Sequence, residues 1–545
     1  MTGSLSATVI LLIILAYFLV LIGISWYTGR KSDNANFFLA GRNSPWYVVA
    51  FGMIGASLSG VTFISIPGVV GQDGIANTDF SYMQMVLGYL VGYAFIALML
   101  MPLYYRMQLT SIYGYLAERF GGTAYRTGAG FFLLSRTIGA SFRLFLVAMV
   151  LHEFVMAPLF GLPFWITVAA TIGLIWVYTF KGGIGTIIWT DTLQTTCMLL
   201  SVGLTIYGIS SALEMDLGGL FSMVRNSEYS QVFHFENGWS DPNNFFKQFL
   251  AGALIATVMT GLDQDMMQKN LSCRTLQDAQ KNMFTFSIIL VFANLLFLVL
   301  GALLYIYANS LGLPTPAPGD ADQLFPTIAL ERLGPAVGVF FILGLIAAAY
   351  SSADSALTSL TTSFCVDFLG FKDQAPPPAA TEGYTDAYYD ETVLDRPTAL
   401  DEVPPTGLRE RMFGNRSEEW VRTAVHIGFS VLLLLTIIAF WLINDESVIN
   451  KLFKVAGFTY GPLLGLFSFG ILTKLRINDR LSLVVCLVAP VLTFLFDRYS
   501  TTLFFGYKFG FELLLLNGLL TFVGLALIAY YDHSETEMAE RGSGG

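Results

Sequence analysis

Polar residues in this chain fall in short clusters between long apolar stretches, and the length of those stretches predicts helices that cross a membrane. Runs long enough to span lie at about 6–28, 46–70, 81–105, 123–155, 162–180, 185–213, 245–265, 281–308, 325–369, 420–443, 448–473, 480–497 and 509–531. Thirteen crossings, an odd number, put the two termini on opposite sides. The runs at 123–155 and 325–369 exceed the roughly 20 residues that one crossing needs. Each is expected to add an extension outside the bilayer or an extra short helix.

The charges between runs alternate. Arg30, Lys31 and Arg42, then Arg106, Arg119 and Arg126, then Lys181, then Lys269, Arg274 and Lys281, then Lys474, Arg476 and Arg480 occupy every second loop. The loops between them carry Asp73 and Asp79, Glu214 and Asp216, Asp320 and Asp322, and Asp445 and Glu446. Basic loops face the cytoplasm, so the N-terminus is expected outside and the C-terminus inside. A polar insertion rich in Pro, Asp, Glu and Tyr interrupts the pattern, with Pro376-Pro377-Pro378 and Pro404-Pro405 within it. The expected division is one transmembrane bundle over 1–370 and 420–531, a disordered acidic cytoplasmic loop over 371–419, and a disordered tail over 532–545.

Composition agrees. The 545 residues are 54% hydrophobic and 12% charged, about half the charge of a soluble domain, and the mean hydropathy is +0.63. The reading is an all-α polytopic membrane protein of the cell (inner) membrane, bathed in lipid and monomeric. No basic stripe suggests nucleic acid. Cys197, Cys273, Cys365 and Cys486 are scattered singly, which suggests neither disulfides nor a CxxC metal site. No nucleophile–base pair points to an enzyme. The first apolar run is too long for a cleavable signal and leads straight into Arg30-Lys31.

Candidate chemistry follows from what is unusual inside the runs. Residues 52–68 hold Gly52, Gly55, Ser57, Ser59, Gly60 and Thr62, then Pro67-Gly68, and read as a helix weakened at mid-membrane. Freed carbonyls at that depth are tolerated only against protein or a water-filled cavity, so a break there points to a transporter binding site. The competing reading is a packing seam of small residues. Residues 252–264, five runs later, repeat the pattern, as the second half of an inverted repeat would. Asp191 and Asp354 are acids inside runs, where charge is costly and marks function, although Asp191 also suits an interfacial ion pair. Ser351, Asp354, Ser355 and Thr358 recur on one helical face and offer hard oxygens suited to a hard cation. Arg136 and Arg143 share a face seven residues apart. Either guanidinium suits a carboxylate, or Arg136 snorkels to the interface. Phe80 and Gln84, at the entry to the third run, stand one turn apart and could meet one ligand.

Taken together, Phe38-Leu39-Ala40-Gly41-Arg42, Trp189-Thr190-Asp191 with Gln194, Gln268-Lys269 with Ala279-Gln280-Lys281, and Ser351-Ser352-Ala353-Asp354-Ser355 resemble the sodium/solute symporter family. The resemblance runs from about residue 10 to 475, outside the acidic insertion. It implies a LeuT-type fold, a 5+5 inverted repeat with extra helices, and Na+ as the coupling ion. The main sodium site would match Gly55, Leu58, Ala348, Ser351 and Ser352. A second site, present in some members, would match Asp191, Ser351, Asp354 and Ser355, with Asp354 standing where certain members have serine. Sodium/galactose carriers place a Glu-Gln pair after the first break and a lysine on the seventh core helix; this chain has Val61-Thr62 and is apolar near Leu290. Ser57, Ser59, Thr62, Phe80 and Gln84 are closer to the pattern of sialic acid carriers, which add an arginine that Arg136 or Arg143 would match.

The expected function is therefore a Na+-coupled symporter importing a small organic solute such as a sugar acid, a sugar or another organic acid. A sodium-dependent sensor or a channel-like protein is the alternative. A sensor would need an output domain, and the acidic loop has no foldable apolar pattern. A channel would need a continuous polar path, whereas the hydroxyls gather at one depth.

Overall fold

The computed structural model describes residues 7–28, 34–179, 183–236, 238–317, 319–371, 407–443, 448–503, 507 and 509–530. Each of the thirteen apolar runs holds a helix or a bent helix pair. In chain order these are α1 (Ala7–Thr28), the pair α2 (Trp46–Ser57) and α3 (Gly60–Val69), α4 (Tyr82–Arg106), α5 (Gly122–Phe160), α6 (Phe164–Thr179) and α7 (Gly183–Ala212). They continue with the pair α8 (Phe245–Gly261) and α9 (Gln264–Leu271), α10 (Leu276–Ser310) and α11 (Pro335–Phe368). The last four are α12 (Glu418–Ile443), α13 (Val448–Leu472), α14 (Asp479–Arg498) and α15 (Leu513–Leu527).

The two bent pairs fall where the sequence weakens its helices. α2 and α3 meet at 53°, and α8 and α9 at 64°. Five runs separate them, as an inverted repeat requires. At the centre is α11, where 78% of the apolar window is enclosed by protein, against 22% for α1 and α14 at the rim. Its small residues explain this: Ala347, Ala348, Ala349, Ser351, Ser352 and Ala353 let α7 lie close along it.

Both overlong runs resolve as expected. α5 continues for 39 residues through a wide turn at His152–Met156, about 58 Å at 1.5 Å per residue. The run at 325–369 divides into a short helix, Leu324–Glu331, and α11.

Three expectations need correction. Lys269, read as a charge in a basic loop, lies inside α9 and is 1% exposed. Arg42, likewise assigned to a loop, is buried, with its guanidinium on the carbonyls of Gln108 (3.2 Å) and Leu109 (3.0 Å). A buried cation needs such acceptors. Regular structure also resumes before Glu419. Leu408–Phe413 is helical, and Arg409 stacks on Phe371 and pairs with Glu418 at 3.3 Å. The rest of the expected loop (372–406) and the tail (531–545) lie outside the described residues.

The terminal helices are stitched to the start of α5. Asp479 accepts from the amides of Thr123 (2.8 Å) and Ala124 (2.7 Å), an acid at a helix N-terminus. Arg119 holds the carbonyls of Gly470, Thr473 and Leu475. A two-residue antiparallel pairing, Arg476 with Tyr530 and Ile477 with Ala529, joins the ends of α13 and α15.

Candidate functional site

The first break is made by two residues. Leu58 (φ −81°, ψ 70°) ends α2, and Ser59 (φ −70°, ψ −179°) is fully extended before α3 begins. The last-turn carbonyls of α2 therefore have no helix of their own ahead to donate to them. Gly55 is where α2 touches its neighbours. A Cβ there would stand 2.3 Å from Thr195 Oγ1 of α7 and 3.4 Å from Ser351 Oγ of α11. Only a bare Cα permits that approach, and Gly55 and Ser351 are thereby brought side by side. Ala348 lies one turn before Ser352, and the Ser352 hydroxyl is buried without a partner. Carbonyls at the break and an unclaimed hydroxyl on α11 are hard oxygen donors in water-poor surroundings.

The four residues matched to a second ion are divided between partners. Asp191 Oδ2 accepts from Lys269 Nζ (2.6 Å) and Oδ1 from Ser351 Oγ (2.7 Å). Asp354 Oδ2 accepts from Tyr178 (2.8 Å), and Oδ1 from the Ser355 amide (2.5 Å). Ser355 Oγ donates instead to Asp265. A lysine at ion-pair distance already supplies the positive charge that a buried Asp191 needs, so this set is not gathered about one ion. Sequence reasoning missed Lys269, Asp263 and Asp265, although two acids beside a mid-membrane break were a readable signal.

Those acids fasten the second break. Asp263 Oδ1 caps α9 through the Asp265 amide (2.9 Å), and Oδ2 accepts from Tyr460 of α13 (2.5 Å). Asp265 also pairs with Arg136 of α5, both fully enclosed. The snorkelling reading of Arg136 is thereby corrected: its charge is answered inside the bundle.

Between the two breaks lies a cavity of about 90 Å³. Ser57, Ser59 and Thr62 line one side, Tyr82, Tyr89 and Tyr93 of α4 another, and Arg136 and Arg143 of α5 a third. Gly60 lets the first break close on this wall: a Cβ there would stand 2.6 Å from Val147 and 3.4 Å from the Arg143 carbonyl. The two arginines differ. Arg136 is neutralised by Asp265, whereas Arg143 makes no ion pair and no hydrogen bond among the described residues.

Phe80 and Gln84 do not line this cavity. Gln84 Nε2 donates to the Asn243 carbonyl (2.9 Å), and its Oε1 accepts from the His234 amide (3.1 Å). The Phe80 amide donates to the Gln231 carbonyl (3.1 Å). Both residues fasten the 231–248 segment over the start of α4. Beside them, in the loop, burial raises the Asp79 carboxyl against the pull of the His234 ring at 3.9 Å, leaving it at about 6.

The chain resembles known carriers over most of its length. It is 23% identical over 497 residues to the sodium/sialic acid symporter SiaT of Proteus mirabilis (strain HI4320), covering 90% of this chain and 89% of that one. It is 24% identical over 454 residues to sodium-coupled monocarboxylate transporter 2 of Danio rerio, covering 81% and 64%. Its fold matches the substrate-bound outward-open structure of a Na+-coupled sialic acid symporter, with a TM-score of 0.72 and 19% identity, over 96% of this chain and 98% of that one. The model of the sodium:solute symporter family matches residues 37–381, which contain both breaks and all of α11. This chain is a member of the sodium:solute symporter family, a Na+-coupled carrier of the membrane.

Proposed function

We propose that this symporter imports a small carboxylated organic solute and that Arg143 receives the carboxylate. The observation that carries the reading is the unpaired guanidinium of Arg143 in the wall of a cavity between two broken helices. A desolvated guanidinium without a counter-ion is a strong two-pronged receptor for a carboxylate. Relatives named for sialic acid and for monocarboxylates support the same class. Arg136 is the lesser candidate, because Asp265 already balances it.

Na+ binds in this reading between the carbonyls of Gly55 and Leu58 and the oxygens of Ala348, Ser351 and Ser352. An ion there ties α2 to α11 and so fixes the orientation of Ser57 and Ser59 beside the cavity. Ion and solute then raise each other's affinity. With the basic loops cytoplasmic and the protein in the cell (inner) membrane, inward Na+ movement gains about 2.3 kcal/mol per charge per 100 mV.

The test is uptake into proteoliposomes of a panel of neutral sugars, amino acids and organic acids, with Na+ or K+ outside. Carboxylates are expected to enter only with Na+, and Arg143→Gln to abolish their uptake while the protein remains folded. Uptake of neutral sugars alone, or carboxylate uptake unaffected by Arg143→Gln, overturns the reading.

A further inference from the structure

α10 contributes Leu290 and, one turn further on, Asn294 to the cavity wall. Asn294 is 2% exposed and sits in a helix that is otherwise apolar through this region. Its Nδ2 donates to the Leu290 carbonyl at 2.8 Å. A carbonyl can only accept, so this contact sets the amide's orientation and engages one of its two N–H groups. The other end, Oδ1, is buried and has no hydrogen-bond partner. Buried polar atoms are partnered in about nine cases of ten. Nor does this amide reach across to another helix, the usual reason for an Asn in a membrane bundle.

No side chain of the wall is hydrogen-bonded to that oxygen among the described residues. The hydroxyls of Tyr82 and Tyr89 lie 3.0 Å apart, so one donates to the other. Ile255, Met259, Met266 and Leu290 are apolar. The wall thus presents a cationic donor at Arg143 and a neutral acceptor at Asn294 without partners among the described residues, set among serine, threonine and tyrosine hydroxyls and apolar side chains. The complementary molecule is an anion that also carries a separate O–H or N–H group.

We infer that Asn294 sets specificity by accepting a hydrogen bond from the solute, so that the carried class is hydroxy- or amido-carboxylates rather than plain monocarboxylates. The inference rests on the reading of Arg143 as carboxylate receptor. A plain carboxylate would enter the same cavity but leave the amide oxygen dry and unpaired, and sites built around a substrate O–H or N–H reject analogues that lack it.

The test uses the full chain in detergent with Na+ present and measures ligand-induced thermal shifts with matched probes: lactate against propionate, and gluconate against hexanoate. The hydroxylated member of each pair is expected to bind about tenfold to a hundredfold more tightly. Asn294→Leu is expected to bring both ratios close to one without weakening propionate or hexanoate, and Asn294→Gln to restore part of the preference. A wild-type ratio near one, or a ratio that survives Asn294→Leu, overturns the role of Asn294. Should Asn294→Leu fail to fold, the wild-type ratios and Asn294→Gln decide. Arg143→Gln is expected to abolish binding of both members of each pair. If it leaves both bound, or if no probe binds wild type, the carboxylate reading falls and this inference falls with it.

Discussion

The two broken helices bend by similar angles, 53° and 64°, and are chemically opposite. The first break is neutral: glycine, serine, threonine and backbone carbonyls, with a Ser352 hydroxyl on α11 that has no partner among the described residues. The second is crowded with charge: Asp263, Asp265 and Lys269, answered by Tyr460, Arg136 and Asp191. Interrupted backbone inside a membrane must be satisfied by something. At the second break the protein satisfies it permanently with its own side chains. At the first, the oxygens include the Ser352 hydroxyl, which has no partner among the described residues, and these are the oxygens to which the proposed ion and solute would bind. In that reading one repeat is the anchor and the other the receptor.

Removing a charge from the anchor should therefore do the most damage. Arg136→Ala leaves the enclosed Asp265 without its ion-pair partner, keeping the Ser355 hydroxyl, and a loss of about 3–5 kcal/mol in stability is expected. Thermal unfolding in detergent measures it, and the double variant with Asp265→Ala should recover a good part of the loss. If the single variants cost no more than the double, the second break is not held by charge.

At the receptor break the sensitivity should be to volume. Gly55→Ala drives a methyl into Thr195 Oγ1, with about 1–3 kcal/mol lost, and adding Thr195→Ala should relieve it. Ser352→Ala is expected to leave stability in Na+-free buffer unchanged, since the hydroxyl has no protein partner. In uptake assays it should raise the half-saturating Na+ concentration about tenfold. Unchanged Na+ dependence would remove Ser352 from the ion's ligands.

The smallest effect lies outside both breaks. With the Asp79 carboxyl raised to about 6, chiefly by burial, the folded chain keeps that proton where an unfolded carboxylate, near 3.9, has lost it. The stabilisation is complete below about pH 4 and disappears as pH rises through about 6, on the order of 1 kcal/mol after solvent screening. Melting temperatures across that window should fall less steeply in Asp79→Asn.

Spans and breaks are legible in the sequence because a bilayer admits few alternatives: length, apolarity and mid-run glycines suffice. Asp191 and Asp354 are legible as costly acids, but their partners are not. Lys269 reaches Asp191 across 78 positions, and Arg136 reaches Asp265 across 129, pairings that only the packed bundle creates. Lys269 reads as a loop charge because it stands next to one in sequence, and the bend at Asp263 is what turns α9 inward. Gln84 illustrates the converse. An amide near a suspected pocket reads as a ligand contact, yet Asn243 and His234, some 150 residues away, claim both of its ends.

The length of α5 has a mechanical consequence. A rod of about 58 Å through hydrocarbon some 30 Å thick is a lever, and Arg143 lies 21 residues from Gly122, about 32 Å along it. That is close to the midpoint. Rocking about this point swings the two ends in opposite directions and leaves the guanidinium almost where it was. In the proposed reading, with Arg143 as carboxylate receptor, the solute's anchor would be the fulcrum, and one side of the membrane would open as the other closes without the cargo having to be released and caught again.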